Sequence, residues 1–166
     1  MIKWGISAYN HNAAIAVVED DQILFASESE RYSGIKNDSN IPENMIKEVL
    51  EYGEPDQIHW YENQLLKNIR RLYAGQKWKK LDIHPWIKRK RIRYHGHHET
   101  HARAGFYTSP FDSATVLVVD AIGEFNTTSI WHATNKHLTK FWTENYPNSL
   151  GLFYSAITHR VGLKPN

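Results

Sequence analysis

"GISAYNHNAAIAVVEDDQILFASE", residues 5–28, decides the fold, because its order of elements returns later in the chain. Three runs rich in strand formers are separated by the short polar breaks "NHN" and "DD", which reads as strand, turn, strand, turn, strand. "IPENMIKEVLEYG", residues 41–53, follows with Ile41, Met45, Ile46, Val49 and Leu50 at helical spacing. Pro42 stands near its start and Gly53 just past its end, the expected asymmetry of a helix. The second occurrence is "VLVVDAIGEFNTTSIWHATNKHLTKFWTE", residues 116–144. An apolar strand leads into a polar loop, a second strand over 126–134, a turn at "NK" and a third strand over 138–145. "SLGLFYSAITHRVG", residues 149–162, is then predicted as a helix, with Ser149 as cap and Gly162 after its end. The residues of the two sets align poorly, so the repeat is one of architecture.

Each set is the opening of a ribonuclease-H-like unit, a mixed sheet with helices. Two such units make the α/β architecture of actin and hexokinase, where a nucleotide or phosphate sits between the halves. The expected division is 1–112 for the first unit, including the histidine-rich helix described below, and 113–166 for the second. The second unit stops after one helix, so the repeat is expected to be truncated. Between the two sets, "QIHWY" (57–61) reads as a strand. Residues 62–75 read as a helix with Leu65, Leu66, Ile69 and Leu72 on one face, and 76–94 as irregular or partly helical.

Bulk properties narrow the function classes. The chain has 166 residues, enough for one domain of ordinary size. Apolar residues at 41% and aromatics at 13% support a core, and a net charge of +2 creates no global field towards nucleic acid. Mean hydropathy of −0.59 describes a polar surface. The absence of cysteine excludes disulfide scaffolds and thiolate metal sites. The start lacks the apolar core of a signal peptide, and no apolar run is long enough to span a membrane, so a cytoplasmic location is expected.

"HHETHARAGFYTSPFD", residues 97–112, carries the candidate chemistry. His97 and His101 are four apart and share a helix face, where two neutral imidazoles can hold one divalent cation. His98 points elsewhere. The zinc-protease pattern is excluded, since it needs Glu directly after the first of two histidines four apart. A zinc deaminase is excluded by the missing cysteines. On spacing alone, a polar helix face explains the segment at least as well. Asp120 changes that balance: it ends the run "TVLVVD", and a carboxylate at a strand end in an open sheet commonly faces a ligand crevice. Two histidines and an aspartate would suit iron, manganese or zinc. In the loop after Asp120, Gly123 is a flexible point and a candidate ligand-binding position.

Three further segments are weighed. In "YNHNAA" the small residues Ala13 and Ala14 would let backbone N–H groups approach a phosphate, although an ordinary polar hairpin explains the loop equally well. Arg31 and Lys36 in "SERYSGIKND" could hold a phosphate or carbamoyl oxygen, or belong to a solvated loop. The run "KRKRIR", residues 88–93, with Trp78, Trp86 and Tyr94 nearby, raises the alternative of a non-catalytic nucleic-acid-binding module over 78–94. A solvated basic connector accounts for it more simply.

Taken together, "GHHETHARAGFYTSPFDSATVLVVDAIGEFNTTSI", "SLGLFYSAITHRVGL" and the opening "GISAYNHNAAIAVVEDDQILFASESERYSGIKND" resemble the O-carbamoyltransferases of antibiotic and nodulation-factor biosynthesis. The resemblance runs nearly end to end. It implies use of carbamoyl phosphate and ATP to make a carbamoyl-adenylate. The carbamoyl group then passes, in an actin-like domain, to a small-molecule hydroxyl such as that of a secondary metabolite or sugar. It also implies a metal, iron first and zinc or manganese as alternatives, held by His97, His101 and Asp120. His11, Asn12, Arg31 and Lys36 match positions near the ligand. Ala121 stands where the family has glycine, and Gly34, Asn37, His159 and Arg160 also depart from its pattern. The family continues beyond the matched region, so a complementing carboxy-terminal chain is expected as a partner.

Overall fold

In the computed structural model, residues 1–10, 12–81 and 83–164 are described. They form two compact units. The first comprises residues 1–61 and 79–95, the second residues 62–78 and those from Gly96 onward.

The first unit begins with the predicted meander: β1 (Ile2–Ser7), β2 (Ala14–Glu19) and β3 (Gln22–Glu28). Adjacent strands pair antiparallel. Asp20 and Asp21, between β2 and β3, both take positive φ (44° and 70°), the twist that a two-residue hairpin turn requires. After the single turn α1 (Glu30–Ser33), α2 (Glu43–Glu51) crosses over to β4 (Gln57–Trp60), which lies parallel to β1. The strand order is β3-β2-β1-β4-β5. Strand alternation places Trp4, Ile6, Ile15, Val17, Ile58 and Trp60 on the buried positions, where they meet Met45, Ile46 and Val49 of α2.

Residues 79–95 belong to this core. The sequence predicts an irregular or partly helical stretch over 76–94; the helical turn α4 (Pro85–Lys88) lies there, and so does an unexpected strand, β5 (Ile92–Tyr94), parallel to β4. "RIRY" alternates charge with apolar residues at a sheet edge, a pattern that a basic run disguises. Ile87 is fully buried, and Trp86 stacks on Trp4 with ring centroids 4.9 Å apart. Lys90 lies 4.7 Å above the Trp86 ring and bonds Glu54 at 2.6 Å.

The second unit is built on β6 (Ser113–Val119), β7 (Asn126–Thr134) and β8 (Leu138–Asn145), an antiparallel sheet in the order β6-β7-β8. α5 (His97–Tyr107) packs on β6 and β7, with Ala102 in one cluster with Val118 and Trp131. The division expected at residue 112 is therefore displaced: this contact assigns the histidine helix, with residues 62–78, to the second unit. α6 (Leu150–Arg160) carries the predicted cap, with Leu152 N–H donating to Ser149 Oγ at 3.0 Å.

α3 (Gln64–Tyr73) forms where expected, and Asn63 caps it by accepting from the amides of Leu65 and Leu66. Leu65, Leu66, Ile69 and Leu72 are all exposed. The buried residues are Lys67, Asn68 and Arg70, and Lys67 Nζ lies 2.8 Å from both carboxylate oxygens of the buried Glu62. Periodicity located the helix faces; the internal ion pair decided which one turned inward.

Candidate metal centre

The second unit brings His97, His101 and Asp120 together. His97 and His101 lie one turn apart on α5, their Nε2 atoms 3.0 Å from each other. Asp120 follows β6 directly and places Oδ2 2.9 Å from His97 Nε2. One ligand atom from each residue lies within 4.8 Å of the other two. Ligands about 2 Å from a common cation are separated by roughly 3 Å, so the measured separations suit one ion. His97 is buried, Asp120 half-buried and His101 exposed, which leaves one side of the cluster accessible. Two imidazoles and one carboxylate with open positions are a donor set suited to ferrous iron.

Electrostatics keeps the carboxylate ready. The hydrogen bond from His97 pulls the Asp120 carboxyl down to about 2, against the opposing effect of burial, with further help from the His97 charge and the Ala121 amide. That amide donates to Asp120 Oδ1 at 2.6 Å.

Three neighbours that the sequence did not single out hold this arrangement. Gly96, the N-cap of α5, has no side chain to accept from the helix amides. The buried Glu124 does so instead: its Oε1 accepts from His97 N–H at 3.0 Å and from Asn63 N–H at 2.7 Å. Arg70 Nε in turn donates to the Glu124 carbonyl at 3.1 Å. The second neighbour is His98, which is 2% exposed and bonded through Nδ1 to Ser129 Oγ at 2.7 Å. Burial pushes it down to about 4, so it packs as a neutral ring. The third is Gly151, whose added Cβ would lie 2.5 Å from the Ala121 backbone and 2.7 Å from the Asp120 carbonyl carbon. Ser149 Oγ also donates to the Ala121 carbonyl at 2.6 Å, seating the start of α6 on the residues that carry the carboxylate.

The remaining candidates lie elsewhere. Gly123 belongs to this unit, but its place is one of close packing: a Cβ there would meet His98 Cδ2 at 3.1 Å and His97 Cβ at 3.3 Å. Asn12, Arg31 and Lys36 lie in the first unit. Asn12 Nδ2 donates to Glu28 at 2.7 Å. Arg31 and Lys36 line an open groove of about 320 Å³ together with Gly34. His11 lies outside the described residues. The Ala13 amide expected to reach a phosphate donates instead to the Asp38 carbonyl at 2.7 Å, because the loop after α1 folds back on it.

Comparison with known proteins places the chain in a family. The family described as carbamoyltransferase N-terminus matches residues 3–62 and 59–166. The chain belongs to that carbamoyltransferase amino-terminal family. An uncharacterized protein of Synechocystis is 34% identical over 98% of this chain and 32% of its own length. An uncharacterized protein of Methanocaldococcus jannaschii is 30% identical over 93% of the chain and 29% of its own length. Nodulation protein NolNO of Sinorhizobium fredii is 25% identical over 94% of the chain and 26% of its own length. The chain thus spans about a third or less of the curated relatives it matches. Among the described residues, no helix is long and apolar enough to cross a membrane.

Proposed function

We propose that this chain is the amino-terminal part of an O-carbamoyltransferase and that His97, His101 and Asp120 hold a divalent metal, iron first and zinc or manganese next. The carrying observation is the convergence of two imidazoles and an ionised carboxylate within 4.8 Å, open on one side. The family match supports the transferase class. The order β3-β2-β1-β4-β5 with parallel β1 and β4 supports a ribonuclease-H-like first unit, and hence the actin-like architecture.

On this reading the reaction moves a carbamoyl group from a carbamoyl-adenylate, made from carbamoyl phosphate and ATP, to a small-molecule hydroxyl. A bound divalent cation would supply Lewis acidity towards a phosphate or carbamoyl oxygen. The chain's own residues fix the donors: Glu124 anchors the start of α5 and so sets His97, while the Ala121 amide holds one oxygen of Asp120 and leaves the other for the cation. Arg31 and Lys36 offer cations to anionic oxygens, and Asn12 and Gly123 are retained as candidate ligand-binding positions.

Titration of the purified chain with ferrous, zinc and manganese ions tests the reading. One ion per chain is expected, with affinity falling at least tenfold in His97→Ala and little changed in His132→Ala, an exposed histidine on β7. Equal metal binding in wild type and His97→Ala would sink it.

A further inference from the structure

α5 turns one polar residue into the sheet. His98, Ala102 and Phe106 stand four apart, share one face of the helix and are all buried. Ala102 meets Val118 and Trp131, apolar contacts that carry no direction. His98 instead makes a directional bond. Its Nδ1 lies 2.7 Å from Oγ of the fully buried Ser129 on β7, and Trp131 Nε1 lies 2.7 Å from the same oxygen. The protons of this chain of groups can be assigned. An indole N–H only donates, so Ser129 Oγ accepts from Trp131. The serine has one proton of its own, and among the described residues His98 Nδ1 is the other partner of its oxygen. A proton on Nδ1 would leave both the serine hydroxyl hydrogen and the bare Nε2 buried without a partner. A proton on Nε2 lets Nδ1 accept from Ser129 and leaves one buried group unsatisfied among the described residues, the Nε2–H itself. Each such group costs about 1–3 kcal/mol, which selects the Nε2–H form.

The motion that this bond resists is rotation of α5 about its axis. Glu124 holds the helix at its start, accepting from the His97 amide at 3.0 Å. An attachment so near the axis fixes position more than rotation. His97 and His101 project towards Asp120 from the stripe beside His98. Helical side chains reach about 5–6 Å from the axis, so turning α5 by about 10° carries an imidazole nitrogen by roughly 1 Å. A metal site holds its ligand distances to about 0.2 Å. Gly123 closes the other side of the ring: a Cβ there would lie 3.1 Å from His98 Cδ2, so His98 has little room to leave Ser129 in that direction. We infer that His98 is a positioning residue of the metal centre: held by Ser129 with its proton on Nε2, it fixes the rotation of α5 and so the approach of His97 and His101 to Asp120. The inference rests on the metal-binding reading and adds to it two residues outside the donor set.

Cobalt(II) is the probe, because its visible absorption reports coordination geometry as well as affinity. His98→Leu removes the bond from the helix side. Ser129→Ala, a smaller change, removes it from the strand side, and thermal melts check the fold of each. Both variants should bind cobalt about tenfold more weakly than wild type, with an altered visible spectrum. His98→Asn offers an amide oxygen near the place of Nδ1 and should restore the wild-type spectrum and most of the affinity, a rescue that a merely space-filling ring does not predict. NMR shifts of the histidine ring nitrogens in the metal-free chain at neutral pH read the tautomer directly, with Nε2–H expected at His98. Wild-type affinity and spectrum in folded His98→Leu or Ser129→Ala, no rescue by His98→Asn, or an Nδ1–H tautomer would each overturn the inference. A wild-type chain that binds no cobalt would instead remove the metal centre, and the inference with it.

Discussion

In the first unit Trp4, Ile15, Val17, Met45, Ile58 and Trp60 are each no more than 1% exposed. In the second, Leu117, Phe153 and Tyr154 are 62%, 61% and 74% exposed. The two units contain the same meander and differ in what covers it. In the first, α2 and the side chains of Trp86 and Ile87 pack against the sheet. In the second, the main apolar cluster is Ala102, Val118 and Trp131 with Val116 and Leu138 at its rim. Each large side chain left in water forgoes roughly 1.5–3 kcal/mol that burial would contribute. The fold of the first unit is thus held by its core, while the second is held more by polar anchors: Glu62 with Lys67, Glu124 with two amides, and Ser149 with the Ala121 carbonyl.

Truncation of one large apolar side chain in each unit gives the largest contrast. Trp4→Ala removes a fully buried ring, its stacking on Trp86 and its hydrogen bond to the Gly53 carbonyl. A loss of about 3–5 kcal/mol is expected. Phe153→Ala on α6 removes a ring already in water and should change stability by less than about 0.5 kcal/mol. Denaturant melts of both variants measure the difference. Comparable losses would mean that the second unit buries far more than its exposure implies.

The contrast also marks what could be read from the sequence. Period-2 runs bounded by polar turns placed the two meanders, because a strand covered on one face must alternate and a two-residue turn must be polar. The spacing of His97 and His101, with Asp120 at a strand end, named the residues that the structure brings together. Three features stayed hidden. The inward face of α3 depends on a buried Lys67–Glu62 pair, and periodicity cannot show a polar side turned in. β5 lay within a basic run whose charges outweigh its alternation. The contacts of Glu124 reach backbone amides 27 and 61 residues away, and amides leave no mark in a sequence. One signal was available there: a helix opening at Gly96 must borrow its cap from elsewhere.

The next effects lie in the polar anchors. Gly151→Ala sets a Cβ 2.5 Å from backbone atoms of Ala121, and the obstacle cannot rotate away as a flexible side chain would. The 120–121 backbone must move, at a cost of roughly 1–3 kcal/mol, and metal affinity should fall at least tenfold as Asp120 moves with it. Unchanged metal titration would show that α6 seats independently of the carboxylate. Glu124→Ala leaves the amides of His97 and Asn63 without their acceptor, which costs about 1–3 kcal/mol. Glu124→Gln keeps one acceptor oxygen and should recover part of both stability and metal affinity. If Gln behaves as Ala does, the carboxylate charge matters more than its geometry.

The smallest expected effect is a pH dependence seated in the first unit. His59 Nε2 lies 3.1 Å from Gln57 Oε1 and its Nδ1 2.8 Å from His95 Nε2, with the two rings stacked 5.0 Å apart. The amide oxygen of Gln57 can only accept, so the network assigns the proton of neutral His59 to Nε2 and leaves Nδ1 to accept from His95. A second proton on His59 would oppose the two N–H groups. Burial first, then His95, Arg93 and Lys3, push the His59 pKa below its ordinary value. The sign follows by linkage: the unfolded chain takes up the proton first, so this part of the stability is complete above the ordinary histidine pKa of about 6.5 and is lost as pH falls through the lower folded value. Melting temperatures at pH 7.5 and 5.5 should therefore drop further for wild type than for His59→Gln, which keeps a neutral hydrogen-bonding side chain. Every other titratable group is common to both proteins, so the difference between the variants, rather than either melt alone, isolates His59. An identical drop in both proteins would remove the stacked pair from the account of what holds the first sheet together.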